Sequence, residues 1–225
     1  MKPRRIAAVV AVTLMVATAI VGLPRLARTS SFFAIERVEV DGVTYLDADA
    51  VVRHLGLTAA ASILDPVGPH ETAVRSLPGV VGAQVTRRFP GTLVVRVNEA
   101  VPIALTPGVD RLVMVDHHGA ILPFDPARAA VSLPVIDPSP AAATLLAHIM
   151  LVDPEWYAAI DSAADVRGDV VIESAGQRVR LRPQATRETL RSVMLVRDYL
   201  SQHNVAWREI DGRFAARVFV HRSRA

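Results

Sequence analysis

A chain of 225 residues has room for one large domain or two small ones, and a hydrophobic content of 51% is enough to give each a core. The absence of cysteine excludes disulfides, thiolate metal sites and cysteine nucleophiles. The formal charge of +3 leaves no nucleic-acid footprint, because residues 1–28 hold five basic side chains and no acid, and the remaining 197 residues carry 20 basic against 22 acidic.

Residues 6–23 form an uncharged run of 18, preceded by Lys2, Arg4 and Arg5 and followed by Pro24. At about 1.5 Å per residue this run spans about 27 Å as a helix, close to the ~30 Å hydrocarbon core of a bilayer. It predicts a single transmembrane helix over 6–23, with a cytoplasmic tail over 1–5 and a juxtamembrane linker over 24–31. Ala17-Thr18-Ala19 also fits a signal-peptide cleavage site, but the apolar run continues beyond it to Leu23, which favours an uncleaved anchor. Three cations precede the helix, and Arg25 and Arg28 follow it. The resulting bias toward a cytoplasmic N-terminus is modest, with the bulk of the chain extracytoplasmic.

Residues 35–40 read as a strand closed by Asp41-Gly42. Asp47 is placed to cap a helix with Val51, Val52 and Leu55 on its inner face, and Gly56 to stop it. A loop over 57–68 leads to a second helix over 69–77, with Val74 and Leu77 inward, which Pro78 ends. Two β-branched runs follow, with Pro90-Gly91 between them as a turn. In the second run Leu93, Val95 and Val97 share one face and Thr92, Arg96 and Asn98 the other, the period of a half-buried strand. Leu77, Val85, Leu93 and Val95 are the expected core.

The residue order says more than the periodicity. Leu77-Pro78-x-Val80 is followed by Val85-x-Arg87-x-Phe89-Pro90-x-Thr92-Leu93-x-Val95-x-Val97-x-Glu99-x-x-Pro102-x-Ala104. Upstream stand Phe33-x-Ile35-x-x-Val38-x-Val40-x-Gly42 and Ser62-Ile63-Leu64-Asp65. Together they resemble the POTRA domain of the FtsQ/DivIB family of bacterial cell-division proteins. Gly79 stands where the family often has an aromatic, and Ala100 where an Arg often follows the Glu. The resemblance implies a β-α-α-β-β domain over 32–105, with a boundary at Thr106-Pro107-Gly108.

Beyond it, residues 111–115 and 120–122 read as a hairpin about an Asp116-His117-His118-Gly119 turn. Residues 125–140 look irregular, broken by the short apolar Leu133-Pro134-Val135-Ile136. A helix is expected over 141–151, and a second hairpin pairs 170–173 with 177–181. Thr186 caps a helix carrying Leu190, Val193, Met194 and Leu200 on one stripe. Strands over 205–210 and 214–220 finish the chain. This strand-rich stretch with flanking helices, residues 106–225, resembles the C-terminal β domain of the same family. Ile210-Asp211-Gly212-Arg213-Phe214 resembles its hydrophobic-Asp-Leu-Arg-aromatic signature, with Gly212 in the place of Leu. The fold class expected is α+β: one membrane helix, a POTRA domain and a β domain.

No catalytic constellation emerges. His117-His118 beside Asp116 reads as a solvated turn, with no further metal ligand in a recognisable spacing. Trp156 and Tyr157 fit either partner anchors or core, and Trp207 reads as core. The resemblance implies a non-enzymatic, cofactor-free scaffold of the cell inner membrane. It would link early and late septal proteins at the division septum and bind FtsB/FtsL-type partners through the β domain. A POTRA-bearing translocation module and a membrane-anchored hydrolase are the alternatives. A terminal strand at a sheet edge can accept a partner strand. Over 214–220, Phe214, Ala216, Val218 and Val220 are expected inward. The candidate partner-binding residues are Phe214, Ala215, Arg217, Phe219 and His221.

Overall fold

The computed structural model describes residues 12–16, 30–128, 132–214 and 217–222. Residues 12–16 are helical, with Val12, Leu14, Met15 and Val16 exposed. The rest of the anchor expected over 6–23, the tail over 1–5 and most of the linker over 24–31 lie outside the described residues. Among the described residues, no helix is long and apolar enough to cross a membrane. The chain divides into two units after Glu99.

The first unit has the order β1 (Arg37–Asp41), α1 (Ala48–His54), α2 (Gly68–Arg75), β2 (Val80–Arg88) and β3 (Thr92–Glu99). Its sheet runs β1-β3-β2, with β3 in the centre, parallel to β1 and antiparallel to β2. Asp47 caps α1 by accepting the Asp49 amide. One face of β3 puts Leu93, Val95 and Val97 into a core with Val51, Leu55, Ile63, Val74, Ala83 and Val85, while Leu77 packs half-buried against it. On the other face Val94 is also buried. Arg88 of β2 reaches Glu39 of β1 at 2.7 Å, and with β3 between those strands this ion pair must span the sheet above it.

Two glycines of the sequence pattern have steric reasons. Gly42 has φ +83°, and a Cβ there would run into the carbonyl oxygen of Val97. At Gly91 a Cβ would sit 2.6 Å from the carbonyl oxygen of Ala34, and the Gly91 carbonyl accepts the amides of Glu36 at 2.8 Å and Arg37 at 3.2 Å. The Pro90-Gly91 turn is thereby stitched to the start of β1. Glu99, the acid of the pattern, accepts the backbone amides of Thr44, Tyr45 and Leu46.

The second unit is built on an eight-stranded sheet of order β11-β10-β9-β8-β7-β6-β4-β5. Its strands are β4 (Ala104–Pro107), β5 (Leu112–Val115), β6 (Val135–Ile136), β7 (Ser162–Val166), β8 (Asp169–Ser174), β9 (Gln177–Leu181), β10 (Trp207–Phe214) and β11 (Arg217–Arg222). Three helices accompany it: α3 (Pro140–Val152), α4 (Pro154–Ala158) and α5 (Arg187–Gln202). Ser139, Asp153 and Thr186 cap them in turn, each accepting an amide of the first turn. α3 buries Ala142, Ala143, Leu145, Leu146 and Ile149, and α5 buries Leu190, Val193 and Leu200. Trp156, Tyr157 and Trp207 belong to this core. The Tyr157 hydroxyl donates to the Ile103 carbonyl at 2.8 Å, so its polar end is satisfied inside.

Three expectations differ from what is observed. Ala104 and Leu105 were expected at the end of the first domain, but β4 pairs with β5 and β6 in the second unit's sheet. The strand expected over 111–115 does turn back on 120–122, through the Val115–Ile121 bridge and the amides of Asp116 and Leu122 on the carbonyls of Ala120 and Met114, but its longer ladder is with β4. The last two strands lie further along the chain than expected, because β10 runs on through Asp211-Gly212-Arg213 to Phe214 and β11 starts only at Arg217.

Candidate partner-binding edge

The outer part of the second sheet is built by β9, α5, β10 and β11. β9 and β10 are parallel, so the chain must return along α5, and the stripe of α5 that faces inward supplies the cover. β10 is the buried member, with Trp207, Ile210, Asp211 and Gly212 all buried. Gly212 lacks a side chain for a packing reason. A Cβ there would stand 2.7 Å from a methyl of Val193 and 2.9 Å from one of Leu181.

Asp211 is the charged residue of this interior, 6% exposed. Arg213, two residues on, grips both its oxygens, with Nε at 2.9 Å and Nη2 at 2.7 Å. Its Nη1 reaches Asp169 on β8 at 2.8 Å. One guanidinium thus joins β10 to β8 in a fork geometry that lysine could not reproduce. The side-chain hydrogen bond from Arg213 holds the Asp211 carboxyl below the ordinary carboxylate range, against the opposing effect of burial. The hydrogen bonds it donates to Asp211 and then to Asp169 raise the guanidinium's own pKa further. Sequence reading found Asp211 and Arg213 as a signature, but Asp169 went unnoticed. It stands 44 positions away, and nothing local marks it.

β11 pairs antiparallel with β10 and ends the sheet. Val218 and Val220 are half-buried and pack on the core. Arg217, Phe219, His221 and Arg222 are exposed. Phe219 is 48% exposed and meets Phe214, 45% exposed, edge to face at 5.4 Å. Arg213 stands 5.6 Å from the Phe214 ring, so the aromatic pair continues into the charged clamp.

Of the sequence-derived candidates, Arg217, Phe219 and His221 therefore share the outer face of β11. Ala215, like Ala216 of the inward set, lies outside the described residues. Phe214 is corrected. It was expected inward on the last strand, yet it closes β10 and is exposed. The chain reverses between Phe214 and Arg217, and the β10–β11 register shifts between Asp211 and Phe214, so Phe214 does not follow the alternation of β11.

Two of the other three sheet edges are occupied, and the third, β1, is short and charged. At β2, Glu71 of α2 accepts the Val85 amide at 2.9 Å, and Arg75 donates to the Ala83 carbonyl at 3.0 Å, so side chains already occupy that edge. At β5 the chain folds back, and Leu122 donates to the Met114 carbonyl at 2.8 Å. β1 is five residues long and carries Arg37, Glu39 and Asp41. Sequence reading missed the Glu71 and Arg75 plugs, although both stand one helical turn apart on α2. His117 and His118 sit in the turn, where the Asp116 carboxylate accepts the amides of His118 and Ala120. Among the described residues, no three potential metal ligands converge.

No curated protein matches this chain. Residues 33–100 match the family model described as POTRA domain, FtsQ-type. Its span runs from the first residue of the Phe33-x-Ile35 pattern to just past Glu99. An FtsQ-type domain points to a cell-division role among interacting divisome proteins, in a family that is generally non-enzymatic. The domain at residues 33–100 supports an FtsQ/DivIB-like family for this chain.

Proposed function

We propose that this protein is a bitopic scaffold of the division machinery, anchored in the cytoplasmic membrane by residues 6–23, with both folded units extracytoplasmic. It links early and late septal proteins, and a partner of the FtsB/FtsL type adds a strand to β11. The observation that carries the docking site is the contrast between edges: β2 and β5 are occupied, whereas β11 ends its sheet beside an exposed pair of phenylalanines. Main-chain pairing would supply affinity, and Phe219 would supply an apolar contact that a partner side chain can cover.

The test is hydrogen exchange on the full chain with and without a purified FtsB/FtsL-type partner. Amides of β11 that point away from β10 should become protected on binding. Phe219→Ala should weaken co-purification about tenfold or more, as loss of a buried aromatic anchor does, while leaving the fold unchanged. Proline at Arg217 is a poor probe, because Arg217 is registered against Phe214 in the hairpin itself. A partner that binds tightly without protecting any β11 amide would sink this docking site.

A further inference from the structure

The end of the first unit where the chain enters from the N-terminal segment carries unusual apolar exposure. Phe32 is 67% exposed and Phe89 is 60% exposed. They stand on two different segments that the backbone holds together. The Gly91 carbonyl accepts the amides of Glu36 and Arg37, and Ile35 donates to Ala61 at 3.1 Å. The β2–β3 turn with Phe89 and the entry segment with Phe32 therefore lie at one end of the sheet. Phe33, beside Phe32 at 5.0 Å, turns into the core and anchors that entry segment.

Two of the cations at this end are engaged, while Arg37 at the start of β1 is exposed. Arg88 pairs with Glu39 at 2.7 Å, and Arg87 donates to the Asp65 carbonyl at 2.8 Å. An acidic partner would find few free charges here. Aromatic rings at a wet surface instead suit the interfacial zone of a bilayer, where an apolar ring body meets headgroups. Chain length keeps this end near such a surface. Eight residues, 24–31, separate the apolar run from the entry segment, and a chain of that length reaches at most about 27 Å.

We infer that the Phe32/Phe89 end of the first unit rests in the lipid interface, inserting both rings among headgroups and upper acyl chains. This rests on the membrane anchoring proposed above. Contact of this kind would fix the tilt of the first unit on its tether, and it would depend on ring insertion more than on lipid charge.

The test uses the full chain reconstituted into vesicles of phosphatidylcholine, with and without added phosphatidylglycerol, and brominated acyl chains as the quencher. The two native tryptophans, Trp156 and Trp207, are both buried in the second unit. Phe89→Trp keeps an aromatic at the turn and reports directly. Its emission should shift to the blue and lose most of its intensity to the brominated lipid, equally in both vesicle types and at high salt. Val81→Trp is the control within the same unit. Val81 is 72% exposed at the far end of β2 and should remain unquenched. If the protein co-floats with vesicles but Phe89→Trp is no more quenched than Val81→Trp, the inference is overturned and the anchor stands. If the protein fails to co-float, the anchoring reading falls and takes this inference with it. Quenching confined to anionic vesicles would also overturn it, in favour of a charge-driven contact.

Discussion

Leu93→Ala lowers the unfolding free energy of the first unit by about 2–5 kcal/mol, the range for truncating a fully buried leucine. Leu93 is 1% exposed on the central strand β3, registered against Val38 of β1 and Arg87 of β2. β1 and β2 flank β3 on either side as paired strands, so the sheet cannot close on the gap. The helices above contribute Val51, Leu55 and Val74, which sit in the same cluster. A site so framed keeps most of its cavity, which places the cost toward the upper part of the range. Val94→Ala, one residue away on the opposite face, should cost less. There the ion pair of Arg88 and Glu39 consists of long side chains able to settle onto a smaller residue. Native-state hydrogen exchange on the full chain reads both. The slowest amides of β2 and β3 should exchange about thirty- to several-thousand-fold faster in Leu93→Ala, with the second unit's own core unaffected. Unchanged exchange would show that the inward face of β3 has been misassigned.

Elements are legible in this sequence where the interaction that fixes them is local or periodic, and illegible where a distant segment fixes them. Residues 92–99 announce themselves because one face is buried and the other mostly polar, so period two survives in the letters. Asp47 and Thr186 were legible as caps because the cap is a local interaction, made within three residues. β7 was missed. Its Ser-Ala-Ala-Asp-Val sequence has no β-branched run, and it is held as a strand by pairing with β6 and β8 on either side. The β4–β5 hairpin was missed for another reason: Thr106-Pro107-Gly108 looked like a break between domains, yet Pro107 closes β4 opposite Leu112 and the chain turns directly into β5. Phe214, Ala215, Arg217, Phe219 and His221 were read as one strand because nothing in the letters marks the reversal between Phe214 and Arg217. Gly212 shows a departure from a pattern with a visible cause. Leu181 and Val193 occupy the space that a leucine at 212 would need.

Glu99→Ala should destabilise the first unit by roughly 2–4 kcal/mol, out of proportion to a half-buried carboxylate near a strand end. The carboxylate accepts the amide of Thr44 at 2.8 Å and of Tyr45 at 3.0 Å on one oxygen, and of Leu46 at 2.7 Å on the other. Three successive amides in the loop before α1 converge on this one carboxylate. A hydrogen bond to a charged group contributes about 1.5–3 kcal/mol. The three are not additive, because water can reach Thr44 once the carboxylate is gone, which keeps the total below their sum. The loop also matters beyond the bonds themselves. It joins β1 to α1 across the end of β3, where Gly42 already lies against the Val97 carbonyl. Glu99→Gln separates charge from shape. Its single carbonyl oxygen can still accept, but its amide hydrogens would face the donors it replaces, so only part of the stability should return. Amide exchange at Tyr45 and Leu46 should accelerate in both variants, more in Glu99→Ala. Equal stability of Glu99→Ala and the unaltered protein would reduce the acid of this sequence pattern to an exposed charge and leave the β1–α1 loop held by its packing alone.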